Sequence, residues 1–359
     1  MAAISGIGAW YPDEVRHNSD WPDEFSESRA ARGDRTFNDI PRALDPSLQV
    51  TDHYLQQEAL DPFLGVKERR FASLEFSAAQ AEERAARLAL EDAGLMPHDL
   101  DCIISYSAVP DRITPPTASR VAELLGVDRI LSWGMDVACA TGLVQIQTAA
   151  ALIDSGQAEH VLLTQSHLML RTFPLLHPAS PGLGDASTAI VLSRDGRWPV
   201  LKAHAVTETE YYPAVTWIRA ESRDDDAPWW DSGSPFRVGT LDKEGAKALQ
   251  RDTVGYGVQT LSETLTAAGV AKDDLRLLAS AEPRGWIPRA ILKVLGLSED
   301  LASSVYRQRA HLGACGCIAN LEKAHREGRT KQDGVAALYA QGAGFTRAAV
   351  LLQLGSMNS

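Results

Sequence analysis

Cysteines, cationic side chains and long apolar runs are all scarce in this chain of 359 residues. Four cysteines are too few for a disulfide framework at this length, so we expect a reducing compartment, the cytoplasm. Lysine and arginine total 35 against 47 acidic residues, and the net charge of −12 disfavours nucleic-acid and anionic membrane surfaces. No run reaches the roughly 18 apolar residues that a membrane span needs. The first residues also lack the basic segment of a signal peptide.

Metal ligands are scarce as well. Cys315 and Cys317 form a C-x-C pair with no matching set of histidines and cysteines nearby, which disfavours a zinc site. We therefore predict no metal and no resident cofactor. Because 45% of the residues are hydrophobic, the chain can bury a core large enough for two domains or one duplicated domain.

The hydrophobic pattern alternates strands with helices. Residues 3–10 read as a first strand, and residues 11–60 form a polar excursion with short helices. Residues 130–135 are predicted to be a buried strand. The segment 208–240 concentrates aromatic residues among prolines and acids, and it either walls a substrate cavity or packs on the core.

An internal repeat is the most informative feature. Ala93-Gly94 recurs as Ala268-Gly269, an offset of 175 residues, and the helix that ends at Gly156 recurs as one that ends at Gly328, an offset of 172. We predict two similar halves, residues 1–195 and 196–359, with the excursion inserted in the first. Such halves pack about a pseudo-twofold axis, and ligands collect where they meet.

Cys139 lies at the junction between the predicted strand at 130–135 and an amphipathic helix. The unpaired N–H groups of a helix start favour thiolate, the nucleophilic form, although a small buried cysteine is the alternative. An offset of 172 from Cys139 reaches His311, which predicts that the two residues occupy equivalent junctions and share one cavity. A thiol beside an imidazole makes an activated nucleophile with its base.

Four segments together resemble the ketoacyl-acyl-carrier-protein synthase III branch of the thiolase superfamily. They are Gly65-Val-Lys-Glu-Arg-Arg, Asp136-Val-Ala-Cys-Ala-Thr-Gly, Gly182-Leu-Gly-Asp-Ala-Ser-Thr-Ala and Gln341-Gly-Ala-Gly-Phe-Thr. The resemblance implies an α/β fold of five layers, αβαβα, built from the two repeated halves, and a homodimer. It also implies an acyl thioester on Cys139, with an oxyanion hole formed by the N–H groups of Cys139 and of Ala343 in a glycine-rich loop.

The chain departs from the Cys-His-Asn set that condensing members of this branch use. Glu282 stands near the place of their histidine, and His311 stands in place of their asparagine. This arrangement resembles an offshoot that moves acyl groups onto alcohols or amines in antibiotic tailoring. Members of that offshoot carry an aspartate five residues after the histidine, where this chain has Gly316, so Glu282 becomes the candidate that orients His311.

The resemblance implies an acyltransferase. Cys139 takes an acyl group from a carrier-protein or coenzyme A thioester, and His311 deprotonates a hydroxyl or amine of a small natural-product acceptor, without decarboxylation. Ala59 and Phe63 replace the Trp and Arg of members that use coenzyme A, which favours a carrier protein. The alternatives are a decarboxylative condensing enzyme, a non-catalytic partner subunit and a thioester hydrolase.

Overall fold

The computed structural model of the protein describes residues 1–27, 45–219 and 236–355. The strands are β1 (Ala3–Trp10), β2 (Glu14–His17), β3 (Glu68–Phe71), β4 (Cys102–Ser107), β5 (Leu131–Gly134), β6 (His160–His167), β7 (Ala186–Ser193), β8 (Trp198–Thr207), β9 (Thr216–Arg219), β10 (Phe236–Gly239), β11 (Leu275–Ser280), β12 (Ala302–Ser303), β13 (Gly334–Gly342) and β14 (Thr346–Leu354). The α-helices are α1 (Pro46–Ala59), α2 (Ala78–Ala93), α3 (Thr117–Leu125), α4 (Thr141–Asp154), α5 (Lys243–Ala268), α6 (Ile287–Val294), α7 (Tyr306–Arg309) and α8 (Gly316–Arg326).

Ten of these strands form one sheet in the order β12-β11-β13-β14-β8-β1-β7-β6-β4-β5. When the five strands of each half are numbered along the chain, both halves have the order 3-2-4-5-1. The halves join where β1 pairs with β8 through only two residue pairs. The division at residue 195 remains our proposal, and it falls in the link between β7 and β8.

Alternation along the strands explains the layers. Ile104 and Leu163 belong to a core cluster that also holds apolar residues of α4, α8 and the second half's strands. Their neighbours Ile103 and Leu162 point to the opposite face, where they pack against α2 and α3. A third cluster packs α1, α5 and α6 on the outer face of β11, β13 and β14. With α4 and α8 between the two half-sheets, the layers run αβαβα, and the predicted thiolase-like fold is confirmed.

Local sequence signals set the helix ends. Ser77 and Gln80 form a capping box at the start of α2, and Gly94 ends it in the left-handed conformation with φ +69°. Gly269 ends α5 in the same way with φ +66°. These matched ends place the two repeated helices on corresponding faces of the two half-sheets.

A strand does form within residues 130–135, but the prediction that it is buried is wrong. β5 lies at the edge of the sheet and pairs with β4 alone, and Leu131 is 67% exposed. The excursion at 11–60 is described only outside residues 28–44, and it includes β2, which pairs with β3, and α1, which packs on α5 and α6. Within the described residues, we find no helix with the length and apolar character to cross a membrane.

Candidate active site

Cys139 lies in the short 3-10 turn Ala138–Ala140 that leads from β5 into α4. Local hydrogen bonds hold this turn: Val137 N–H donates to Thr141 Oγ1 at 2.8 Å, and Thr141 Oγ1 donates to the carbonyl of Ala138 at 2.7 Å. Ala138 has a left-handed φ of +50°, an unfavourable conformation for a residue with a Cβ. The turn therefore fixes the half-buried thiol at the amino-terminal end of the helix.

His311 is held by the main chain of the loop that precedes β7. Its N–H donates to the carbonyl of Gly182 at 3.0 Å, and its carbonyl accepts from the N–H of Gly184 at 3.0 Å. These bonds make an isolated bridge in which His311 pairs with Leu183. A residue held on both sides in this way keeps its side chain in one direction.

The predicted equivalence of Cys139 and His311 is wrong, although the two residues do meet. The starts of α4 and α8 differ by 175 residues, and so do the preceding 3-10 turns, Ala138–Ala140 and Gly313–Cys315. In that register, Ala314 corresponds to Cys139. The offset of 172 applies only to the helix ends, because α4 has 14 residues and α8 has 11.

Cys139 and His311 form a hydrogen-bonded pair, with 3.6 Å between Sγ and Nε2. The other ring nitrogen, Nδ1, lies 3.0 Å from the main-chain oxygen of Glu282. A carbonyl oxygen only accepts, so Nδ1 carries the proton of the neutral ring and Nε2 presents its lone pair to the sulfur. This is the geometry of a general base beside its nucleophile.

The electrostatics contradict the predicted thiolate. Burial and, to a smaller extent, the nearby Asp136 raise the pKa of the Cys139 thiol to about 11. Burial, with a smaller effect of His167, lowers the pKa of His311 to about 3. The resting pair is therefore a neutral thiol and a neutral imidazole, because the loss of solvation outweighs the helix start.

The Gly342 loop, residues 342–345, lies against the Cys139 turn. A Cβ placed on Gly342 would stand 3.1 Å from the main-chain nitrogen of Cys139 and 2.5 Å from the carbonyl oxygen of Val137. Only glycine permits this approach. Ala343, the second predicted oxyanion donor, follows Gly342 directly, so the loop that carries it is adjacent to the Cys139 amide. Its role remains a prediction.

Comparisons with known proteins indicate which proteins the chain resembles. The family model described as 3-oxoacyl-[acyl-carrier-protein (ACP)] synthase III matches residues 134–209, and the model of its C-terminal part matches residues 265–354. The chain is 29% identical to the beta-ketoacyl-[acyl-carrier-protein] synthase III of Sphingopyxis alaskensis, covering 81% of this chain and 88% of that protein. The chain is therefore ketoacyl-synthase-III-like: it is similar to these proteins over most of its length.

Solved structures show the same fold for this synthase-III-like chain. The 3-oxoacyl-[acyl-carrier-protein] synthase III of Aquifex aeolicus aligns with a TM-score of 0.77 at 21% identity, covering 98% of this chain and all of that one. A priming beta-ketosynthase from a polyketide biosynthetic pathway aligns with a TM-score of 0.78 at 20% identity, covering 99% and 97%.

Glu282 contacts His311 in the synthase-III-like site, but not through the side chain that we expected to orient the imidazole. Its main-chain oxygen orients His311, whereas its carboxylate accepts a hydrogen bond from Asn320 Nδ2 at 2.8 Å. The side chain is 3% exposed, and burial raises its pKa to about 8. The Glu282 carboxyl is therefore turned toward Asn320, and the main-chain oxygen rather than the carboxyl contacts the His311 ring.

The sequence reasoning missed His167, the last residue of β6. Its ring packs edge-to-face on His311, with 5.6 Å between centroids and 69° between planes. Its Nδ1 donates to the carbonyl of Gly184 at 2.8 Å. The available signal was its place at the carboxyl end of a buried strand that runs parallel to β4, the edge where α/β proteins collect functional side chains.

The aromatic segment at 208–240 divides between core and surface where it is described. Tyr211 packs on Phe345 of the Gly342 loop, with 5.9 Å between ring centroids. Tyr212 is 70% exposed and Trp217 is 42% exposed. Trp229 and Trp230 lie outside the described residues. Tyr211 thus supports the loop beside the nucleophile rather than lining an open cavity.

A cavity of about 570 Å³ lies between α1 and α6, and neither Cys139 nor His311 is among its lining residues. Arg284 forms an ion pair with Glu58, with 3.1 Å between Nε and Oε2. Arg289 is exposed and places its guanidinium 5.8 Å from the ring centroid of Tyr54. Within the described residues, no cluster of histidine, cysteine or acidic side chains could hold a metal ion.

Proposed function

We propose that this chain is an acyltransferase that carries an acyl group on Cys139 and passes it to a hydroxyl or amine without decarboxylation. The relatives' names support the broader class, an acyl-transferring or condensing enzyme of the synthase III type. One observation favours transfer within that class. Among the described residues, His311 is the imidazole that hydrogen-bonds the Cys139 sulfur, and the side chain at position 282 is a carboxyl turned toward Asn320.

The first half-reaction loads the nucleophile. Cys139 Sγ attacks the carbonyl carbon of the donor thioester while its proton moves to His311 Nε2. The N–H groups of Cys139 and Ala343 stabilise the tetrahedral oxyanion. The intermediate collapses by breaking the donor's C–S bond, and the leaving thiolate takes the proton from His311. Neutral His311 and an acylated Cys139 remain.

The second half-reaction uses the same atoms in reverse. An acceptor O–H or N–H gives its proton to His311 Nε2 as its oxygen or nitrogen attacks the thioester on Cys139. Collapse breaks the C–S bond, and the Cys139 thiolate recovers the proton. The exchange is ping-pong, it needs no metal or resident cofactor, and no carbon–carbon bond forms.

Three further parts belong to this proposal. The donor is an acyl carrier protein rather than coenzyme A, supported by Ala59 and Phe63 in place of Trp and Arg. The acceptor is a small molecule of antibiotic or polyketide type, and the active form is a homodimer in the cytoplasm. The bonds made and broken in the first half-reaction are the same whichever carrier, acceptor or oligomeric state applies.

Intact mass spectrometry after exposure to a panel of acyl carrier proteins tests the proposal. We expect the wild type to gain one acyl mass and Cys139→Ala to gain none, while Cys102→Ala, a buried cysteine on β4, loads normally. His311→Ala should reduce turnover at least about 100-fold, the usual range for a lost general base. Full turnover by His311→Ala would remove the base from the mechanism.

A decarboxylative condensing enzyme is the second candidate, and the names of the relatives favour it. Malonyl carrier protein labelled in its free carboxyl separates the two functions. Labelled carbon dioxide released in step with product would support condensation, whereas acyl transfer with the label retained supports our proposal.

A further inference from the structure

We propose that His167 is a positioning residue that holds the His311 imidazole against Cys139. This inference rests on the proposed function, because it assigns a task to the base used there. His167 is 5% exposed and contacts His311 edge-to-face, yet it makes no hydrogen bond to the Cys139 sulfur among the described contacts. It therefore acts on the base rather than on a substrate.

Two hydrogen bonds through Gly184 link the two histidines, and a third holds His311 on the same loop. His167 Nδ1 donates to the carbonyl of Gly184, and the N–H of that glycine donates to the carbonyl of His311. The N–H of His311 in turn donates to the carbonyl of Gly182. His167 thus fixes the loop on which the main chain of His311 is mounted, while its ring limits the rotation of the His311 ring.

The packing around His167 leaves it one position. A Cβ placed on Gly313 would stand 2.3 Å from His167 Cδ2 and 2.9 Å from Nε2, so the ring fills the space beside that glycine. Gly313 also has a left-handed φ of +53°. One edge of the ring meets Gly313, Nδ1 binds Gly184, and the ring also packs on His311. The contacts with Gly313 and Gly184 hold the ring in place, and the contact with His311 restricts the imidazole of the base.

Asparagine and glutamine distinguish this role from simple packing. An asparagine amide nitrogen can reach the place of Nδ1 and donate to Gly184, whereas the longer glutamine places its amide near the position of Nε2. Leucine fills similar volume and donates to nothing. His160→Asn is the matched control, because His160 begins the same strand and binds Ser193 Oγ far from the pair.

The readout is the rate at which iodoacetamide alkylates Cys139, followed by intact mass between pH 6 and 9, with thermal unfolding recorded for each variant. This probe needs neither the unknown donor nor the acceptor, and the other three cysteines are buried. We expect His167→Leu and His167→Gln to slow alkylation roughly tenfold, since small misplacements of a reacting group are costly. His167→Asn should recover most of the rate, and His160→Asn should stay within about twofold.

The double variant His167→Leu with His311→Ala should be no slower than His311→Ala alone, because His167 acts through His311. Additive losses would overturn the inference, and so would a normal rate in His167→Leu when His311→Ala is slow. A normal rate in His311→Ala would instead count against the base role in the proposed function. If His167→Leu does not fold, the alkylation rates of His167→Asn and His167→Gln are compared instead. Equal rates for those two variants would overturn the positioning role.

Discussion

Gly342 and Cys139 approach so closely that a Cβ on the glycine would stand 3.1 Å from the cysteine's main-chain nitrogen. The contact joins the turn before β14 in one half to the nucleophile turn in the other. The loop that carries Ala343 therefore lies beside the Cys139 amide, as the predicted oxyanion hole requires. A substitution at Gly342 therefore tests the predicted oxyanion hole most directly.

We predict that Gly342→Ala slows acyl loading of Cys139 about 100-fold, the cost of losing one oxyanion donor. The added methyl group would meet the carbonyl of Val137 at 2.5 Å and push the loop away from the cysteine amide. Loading is measured by rapid quench and intact mass. Gly134→Ala is the control, because its Cβ would have only an ordinary contact at 3.6 Å with Pro116. Equal loading by both variants would contradict the prediction.

The rate of thioester loading should change little between pH 5 and 9. The pKa of His311 is lowered to about 3 and that of Cys139 is raised to about 11, so neither group changes its charge within that interval. A preformed thiolate–imidazolium pair would instead give a rate that rises through an inflection in this range. Loading with one carrier thioester, corrected for its own hydrolysis, is the measurement.

Glu282→Gln should leave acyl loading within about threefold of the wild type, because the main-chain oxygen and not the carboxylate binds His311. A loss similar to that of His311→Ala would mean that the carboxylate takes part in the chemistry. Glutamine keeps an oxygen that can accept the hydrogen bond from Asn320. The comparison therefore tests whether ionisation of the Glu282 carboxyl matters for loading.

The same variant makes a prediction about stability. The folded pKa of Glu282 is raised to about 8, above its value of 4.5 in the unfolded chain. The native state therefore binds an extra proton, and the wild type loses stability as pH rises from below 4.5 through about 8. Relative to the wild type, Glu282→Gln should gain about 3 kcal/mol of unfolding free energy between pH 5 and 8. Denaturant titrations of both proteins at each pH measure this, and parallel curves would refute it.

Much of the fold could be predicted from residues alone, because its signals are local and repeated. The helix ends at Gly94 and Gly269 need a left-handed residue, and glycine supplies it. The motif around Cys139 and the presence of His311 were enough to name the pair. The predicted equivalence of the two residues was wrong because α4 and α8 differ in length. An offset counted between the ends of these helices therefore gives the wrong partner for a residue at their starts.

The residues alone therefore predicted the duplicated α/β plan, the resemblance to ketoacyl synthase III and the pairing of Cys139 with His311. Only the tertiary structure decided that the thiol and imidazole rest uncharged, that Glu282 orients His311 through its backbone, and that His167 stands behind the base. Charge state and orientation depend on burial and on which chain segments meet across α4 and α8. Those quantities arise from packing between residues far apart in the sequence, and no local pattern encodes them.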